Sequence, residues 1–320
     1  MRSRGLLSAA ILTGALAGSA GALGSAARGT SGGQFLEIGP GARPAAMGGA
    51  FAGVADDVYS VYYNPAGLAG IKTFEVAGMD DQYFQSINYD FAGLAVPLLG
   101  FQKDTFDAKN IYGVLGVGVY DLSLGDIPTQ GNVESAAPTG SISAQDMAYA
   151  LSYGYALRGT GLSLGVTGKF ITSSLGGYNA SVFAADAGAL YRIGRWSAGA
   201  GVRNLGPEYG FAGQADPLPL LLYAGAGCRI TEHWLASAEL DLPRDNNPAL
   251  AVGTEYAHPF TGKLSGILRA GYSTANTAAG GFTGASVGAG VVYGNFGLDF
   301  AFIPFGDLGN TYRYSILVKF

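Results

Sequence analysis

Few side chains in this sequence are suited to reactive chemistry. Two histidines, His233 and His258, a single cysteine, Cys228, and the pair Asp56-Asp57 are the first candidates. Nucleophilic acyl transfer needs a histidine with a serine and an acid held around it. His233 sits in a turn sequence, Thr231-Glu232-His233, and His258 precedes Pro259 at a strand end. Neither has a serine and an acid at a spacing that would gather them, so both histidines are read as structural. No paired His or Cys ligands suit zinc, and Asp56-Asp57 lacks the further oxygen ligands of a calcium loop. Cys228 is alone and reads as an inert packed thiol. The glycine-rich run 284–294 follows strand alternation and does not open a helix, so it is no phosphate cradle. The chain reads as non-enzymatic, and no cofactor is expected.

A second set of ionisable residues is defined by its parity. Lys169, Arg203, Arg229, Arg269, Arg313 and Lys319, with Asp186, Glu239, Asp241, Glu255 and Asp299, all fall on one side of a two-residue alternation. The other side carries residues such as Trp196, Ala198, Ala200 and Val202, or Tyr312, Tyr314, Ile316 and Val318. A strand sends successive side chains to opposite faces, so each segment has one apolar face and one small, polar face. A Lys or Arg on the lipid face of a barrel costs roughly 2 to 4 kcal/mol near the bilayer midplane. Charges kept to the opposite face therefore point inward, and their mixed signs favour a lattice of lumen salt bridges over an ion pathway.

The elements that carry this pattern extend from about Phe74 to Phe320. Alternation and turn residues together give about fourteen strands, centred near Val76, Tyr89, Val117, Leu151, Val166, Ala185, Ala200, Ala224, Ala238, Val252, Leu268, Ala289, Phe300 and Ile316. Gly93 blurs the parity of the second and marks a candidate bulge. From the third strand on, long and short connections alternate. Stretches 125–144, 173–179, 205–217 and 274–283 are the longer ones. Stretches 158–161, 193–195, 231–233 and 294–295 are tight, and Gly294-Asn295 is hairpin chemistry. Outer-membrane barrels have short periplasmic turns and longer external loops, so both barrel ends are expected on the periplasmic side.

Composition agrees with this. Only 13% of residues are charged and the mean hydropathy is +0.24, too apolar for an ordinary soluble surface. Past the N-terminal region no stretch approaches the roughly 20 apolar residues of a membrane helix. A closed barrel is the other structure that satisfies its backbone inside lipid. The 53 glycines are interleaved with Tyr, Phe, Leu and Val, as inner-face packing requires. A net charge of −5 without a long block of one sign excludes a nucleic-acid partner.

Residues 1–26 read as an export signal: Arg2 and Arg4 precede an apolar stretch, Leu6 to Ala17, and cleavage after Ala20, Ala22 or Ala26 fits. Export and a barrel together predict the bacterial outer membrane, with its lipid as the first partner. Residues 27–72 do not alternate. Met47, Phe51, Val54, Val58 and Val61 recur at helical spacing after Pro44, but Gly48, Gly49 and Gly53 weaken that helix by roughly 1 kcal/mol each. Short, broken helices are expected, with Asp56 or Asp57 capping one and Asn64-Pro65 ending it. Around fourteen strands enclose a space that must be plugged or conduct. The 27–72 segment is the expected hatch, and 73–320 the barrel.

Within that segment, Gly41-Ala42-Arg43-Pro44-Ala45-Ala46-Met47-Gly48-Gly49-Ala50-Phe51, then Ala55-Asp56-Asp57 and Asn64-Pro65-Ala66-Gly67-Leu68, resembles the N-terminal signature of the PorV/PorQ family. These proteins are similar to FadL-type transporters, with fourteen strands and an N-terminal hatch. The resemblance singles out Gly41, Met47, Gly48, Gly49, Asp56, Asp57, Asn64, Pro65 and Gly67 as the hatch motif. Pro44 departs from the expected pattern and shifts the helix start. The terminal Phe320 looks like the signal read by the barrel-insertion machinery. Two activities are implied by resemblance: docking or shuttling of proteins secreted by a type IX system, and, as the alternative, FadL-like passage of hydrophobic compounds.

Overall fold

A computed structural model describes residues 27–83, 87–102, 105–131, 137–211, 213–275 and 283–320. The export-signal expectation for 1–26 lies outside them. Fourteen strands form a closed antiparallel barrel: β1 (Glu75–Gln82), β2 (Asn88–Gln102), β3 (Thr105–Thr129), β4 (Gly140–Ala156), β5 (Leu162–Leu175), β6 (Tyr178–Ile193), β7 (Trp196–Leu205), β10 (Leu221–Arg229), β11 (Trp234–Pro243), β12 (Ala249–Pro259), β13 (Leu264–Ser273), β14 (Ala285–Tyr293), β15 (Phe296–Pro304) and β16 (Asn310–Lys319). Each centre named from the sequence falls within its strand. The seam closes because β1 pairs on one edge with β2 (Val76 opposite Leu94) and on the other with β16 (Val76 opposite Val318). Phe320 N–H donates to the Phe74 carbonyl just beyond that seam.

The alternation that specified the strands is visible in their burial. In β4, Tyr149, Leu151 and Tyr155 are exposed while Ala148, Ala150 and Ser152 are buried. A one-residue slip would turn every apolar side chain inward, so the pattern holds each strand in register. Among the described residues no helix is long and apolar enough to cross a membrane.

Three local expectations are corrected, and one long connection gains structure of its own. The irregularity expected at Gly93 lies instead between Pro97 and Leu99, where proline has no N–H to give the ladder. The connection 173–179 is a tight hairpin on Gly176-Gly177, with φ of +56° and +92°; both positive values suit the hairpin turn that glycine permits, and β5 and β6 extend to meet it. The 205–217 loop carries a short two-stranded ribbon, β8 (Tyr209–Phe211) and β9 (Gln214–Asp216). Finally, the outward parity is not free of charge. Asp80 pairs directly with Asp90, and Asp90 with Asp121, on the same parity as outward-facing Tyr314. Asp80 and Asp90 lie two residues from the loop-side ends of β1 and β2, and acidic side chains near an interface cost little there.

Residues 27–72 fold as short turns: 3-10 turns at Gln34–Glu37 and Pro65–Gly70, and single-turn helices α1 (Ala42–Ala46) and α2 (Ser60–Tyr63). The helical spacing of Met47 to Val61 does not become a helix. Gly48 and Gly49 turn the chain with φ of +69° and +85°, and the apolar residues are buried one by one against the barrel.

Candidate functional site

The 27–72 segment and the inward wall are built to fit each other through missing side chains. Inward glycines leave room for its backbone: a Cβ on Gly154 would stand 2.8 Å from the Ala69 nitrogen, and one on Gly225 2.9 Å from the Gly53 nitrogen. Further round the wall, a Cβ on Gly116 would meet Val61, and one on Gly253 would meet Met47. The aromatic residues Phe51, Tyr59, Tyr62 and Tyr63 join Tyr89, Phe91 and Tyr120 of the wall in one buried apolar cluster. Glycine on the inner parity is therefore a packing device, because any larger residue would hold the segment away.

Polar groups fix the register of that packing. Asn64 is fully buried; its amide donates to the carbonyls of Ala52 (3.0 Å) and Ala189 (3.1 Å), and its Oδ1 accepts from Ala66 N–H. Pro65 opens the 3-10 turn that follows, where its lack of an N–H costs nothing. Asp57 accepts from Tyr59 N–H at 3.0 Å in the turn before α2; the N-cap of α2 is Tyr59 and has no side-chain cap, so the expected capping by Asp56 or Asp57 does not form there. Gly41 (φ +94°) precedes α1 and donates to the Met79 sulfur. Gly67 lies so near Ala55 and Ser60 that a Cβ would stand 2.6 Å from the Ala55 carbonyl oxygen. Met47 is wholly buried.

The inward charges are joined in pairs and chains. Arg269 binds Glu255 at 2.7 Å and Asp299 at 2.6 Å, and Arg43 of the segment binds the same Glu255 at 2.8 Å. Arg43 also reaches Asp56 (2.6 Å) and Asp57 (2.9 Å), so one guanidinium ties the turn at 56–57 to β12. Burial works against the Arg43 charge, but Asp56, Glu255 and Asp57 hold it well above the usual arginine value. Lys169 and Asp186 pair at 2.7 Å, nearly inaccessible. Arg313 pairs with Asp81 at 2.6 Å. Glu239 accepts from the N–H groups of Phe51 and Ala52 at 2.8 and 2.7 Å, which anchors the segment to β11. Arg229 shares the inward parity but stands at the end of β10, 62% exposed, 3.8 Å from Asp56.

Arg43 was not among the residues singled out from sequence. Its signal was the opposite charge of Asp56-Asp57, 13 and 14 positions on, and nothing local says that the loop brings them together. A second missed feature is a tyrosine cage: the Arg203 guanidinium lies 4.8 Å from the Tyr62 ring, 5.0 Å from Tyr223 and 5.9 Å from Tyr63. Its carboxylate neighbours, Glu239 and Asp241, are farther off than a hydrogen bond, at 3.7 and 3.6 Å.

Above the segment, at the loop end, is a cavity of about 580 Å³. Its floor includes Ala45, Gly48, Gly49, Tyr62 and Tyr63; its walls mix Ile38, Leu221, Ile303 and Phe305 with Glu37, Arg203, Asp241 and Arg313. The strap 28–37 borders it, pinned by Arg28 to Asn246 (2.9 Å), Gln34 to Asp245 (2.6 Å) and Gly32 N–H to the Pro217 carbonyl. Glu37 keeps solvent access, yet desolvation at the cavity wall pushes its carboxyl up to about 7; Asp245 adds to the shift, and Arg203 opposes it. His233 lies in the β10–β11 turn, His258 packs edge-on to Phe260, and Cys228 faces outward between Trp196 and Ala236.

No family model matches the sequence, and no curated protein matches it. Solved structures do resemble the fold. The Ralstonia pickettii toluene transporter TbuX aligns with a TM-score of 0.58 at 14% identity, over 88% of this chain and 98% of that one. The Pseudomonas putida toluene transporter TodX aligns with a TM-score of 0.55 at 13% identity, over 87% of this chain and 96% of that one. At such identities the likeness is one of fold.

Proposed function

We propose that this chain is an outer-membrane channel that passes hydrophobic compounds in the FadL manner, with the 27–72 segment as its hatch. The observation that carries the reading is the cavity of about 580 Å³ at the loop end, floored by the same segment that packs against the inward glycines. A compound entering from outside would pass Leu221, Ile303 and Phe305, set among Arg203, Asp241 and Arg313, and would meet Tyr62 and Tyr63 on the hatch itself. Whole-length similarity in fold to two toluene transporters supports this reading over the docking of secreted proteins. The charge lattice has its place here as well, since it holds the hatch to the wall at Arg43, Glu239 and Glu255. The outward apolar face and the barrel closure support the outer membrane as the location.

Reconstitution tests this. Liposomes carrying the protein should take up a small aromatic hydrocarbon faster than empty ones, and deletion of 41–70 should raise single-channel conductance. Unchanged uptake would remove the transport reading; unchanged conductance would mean that the segment does not obstruct the lumen. Co-purification of a secreted protein without any uptake would favour the docking reading, in line with the PorV/PorQ-like motif.

A further inference from the structure

The described charges at the tight-turn end do not balance. A cavity of about 330 Å³ lies there between the hatch and strands β6, β7, β10 and β11, lined by Arg192, Arg195 and Arg229 together with Asp56, Trp196 and Ser197. Three guanidiniums face one carboxylate. Arg192 is largely enclosed; its Nη2 donates to the Ala55 carbonyl at 2.6 Å, and among the described residues no carboxylate stands within 4 Å of it. Among the described residues Arg229 has only Asp56 as an ion-pair partner, at 3.8 Å. Arg195 is exposed on the turn and lies over the Trp196 ring at 5.7 Å. A guanidinium offers five donors in a planar fork that suits carboxylate and phosphate, and among the described residues the one hydrogen bond that these three guanidiniums donate is that of Arg192 to Ala55.

The surroundings say which anion. Trp196 and Trp234 are exposed on the outward parity at this same rim, at 55% and 45%, alongside Tyr191 and Ile193. Tryptophan and tyrosine concentrate where a membrane protein meets the headgroup layer. The Arg195 contact with Trp196 thus joins that layer to the cavity, across a single turn, Gly194-Arg195. We propose that Arg192, Arg195 and Arg229 form a phosphate-binding site, filled by the headgroup of an anionic phospholipid from the leaflet at the tight-turn end. This rests on the reading that the outward face meets lipid. Basic pockets at membrane rims take such headgroups by the same chemistry. Bound there, a headgroup would bridge the wall arginines next to the hatch residues Val54, Asp56 and Gly70 and hold that edge of the hatch closed.

The test uses the full-length mature protein in zwitterionic detergent, titrated separately with phosphatidylglycerol, phosphatidylcholine and inorganic phosphate, with thermal midpoint and native mass spectrometry as readouts. Phosphatidylglycerol should bind saturably at least tenfold more tightly than phosphatidylcholine, and Arg192→Gln/Arg229→Gln should lose that preference. Arg195→Gln should weaken it in part, while Arg158→Gln on another turn of the same end should leave it unchanged. Inorganic phosphate that binds and competes at millimolar concentration would keep the oxyanion site but assign it a soluble occupant. Equal binding of both lipids, or a preference that survives the double variant, would overturn the site. Heat-modifiable mobility in gels confirms that each variant is folded. Stable insertion into phosphatidylcholine vesicles is scored independently, so failure of the membrane reading is distinguishable from failure of the site.

Discussion

Replacing Arg43 with glutamine should unfasten the 27–72 segment while leaving the barrel closed. Arg43 is the one segment cation bound to Asp56, Asp57 and the wall carboxylate Glu255, at 2.6 to 2.9 Å, and its side chain is only 14% exposed. Removing one partner of such a buried constellation leaves the remaining charges uncompensated and typically costs about 3 to 5 kcal/mol. Part is recovered at Glu255, which keeps Arg269 at 2.7 Å; Asp57 keeps no cation within salt-bridge distance among the described residues, and burial raises its pKa, with Arg43 the main opposing influence. A net loss of about 3 kcal/mol corresponds to roughly a hundredfold larger population of displaced segment. The barrel ladder does not pass through Arg43, so strand pairing should persist. The assay is thiol labelling of Ser60→Cys in a Cys228→Ser background, because Ser60 is fully buried where the 27–72 segment meets the wall. A water-soluble maleimide should label it about two orders of magnitude faster when Arg43→Gln is added, with heat-modifiable mobility unchanged, and Arg43→Lys should fall between. Unchanged labelling would refute the latch. Loss of the folded barrel would refute the claim that the lattice acts on the 27–72 segment rather than on the wall.

Two further outcomes are expected. Asn64→Ala removes two donated hydrogen bonds and the cap on Ala66 N–H, leaving buried carbonyls unpaired, and should lower stability by roughly 1 to 3 kcal/mol as measured by urea-induced release of Ser60→Cys protection. For Glu37, a carboxyl raised to about 7 binds its proton more tightly folded than unfolded; stability is fully present below its ordinary value of 4.5 and is lost as pH rises through 7. The thermal midpoint should therefore fall between pH 5 and 7.5 by more in the wild type than in Glu37→Gln, and parallel curves would remove Glu37 as the cause.

What the sequence determined by itself is the barrel. Two-residue alternation is a property of adjacent positions, so fourteen strand centres, their facing and most tight turns could be read without knowing which strand meets which. The motif at 41–68 stood out by its resemblance rather than by its composition: Gly48 and Gly49, read as weakening a helix, adopt the positive φ that glycine takes readily and turn the chain instead, while Asn64-Pro65 ends α2 where the sequence placed the stop. What the tertiary structure decided is where these pieces meet. Arg43 finds Glu255 across 212 positions, and Glu239 finds Phe51 across 188, because closing the ring brings β11 and β12 round to the 27–72 segment. Nor could parity say that Asp80, Asp90 and Asp121 align on the outer wall, since that depends on the pairing register of three strands. The physical reason is the same in each case. A side chain's facing is set by its own backbone, whereas its partner is set by the closure of a cylinder whose seam joins residues some 240 positions apart.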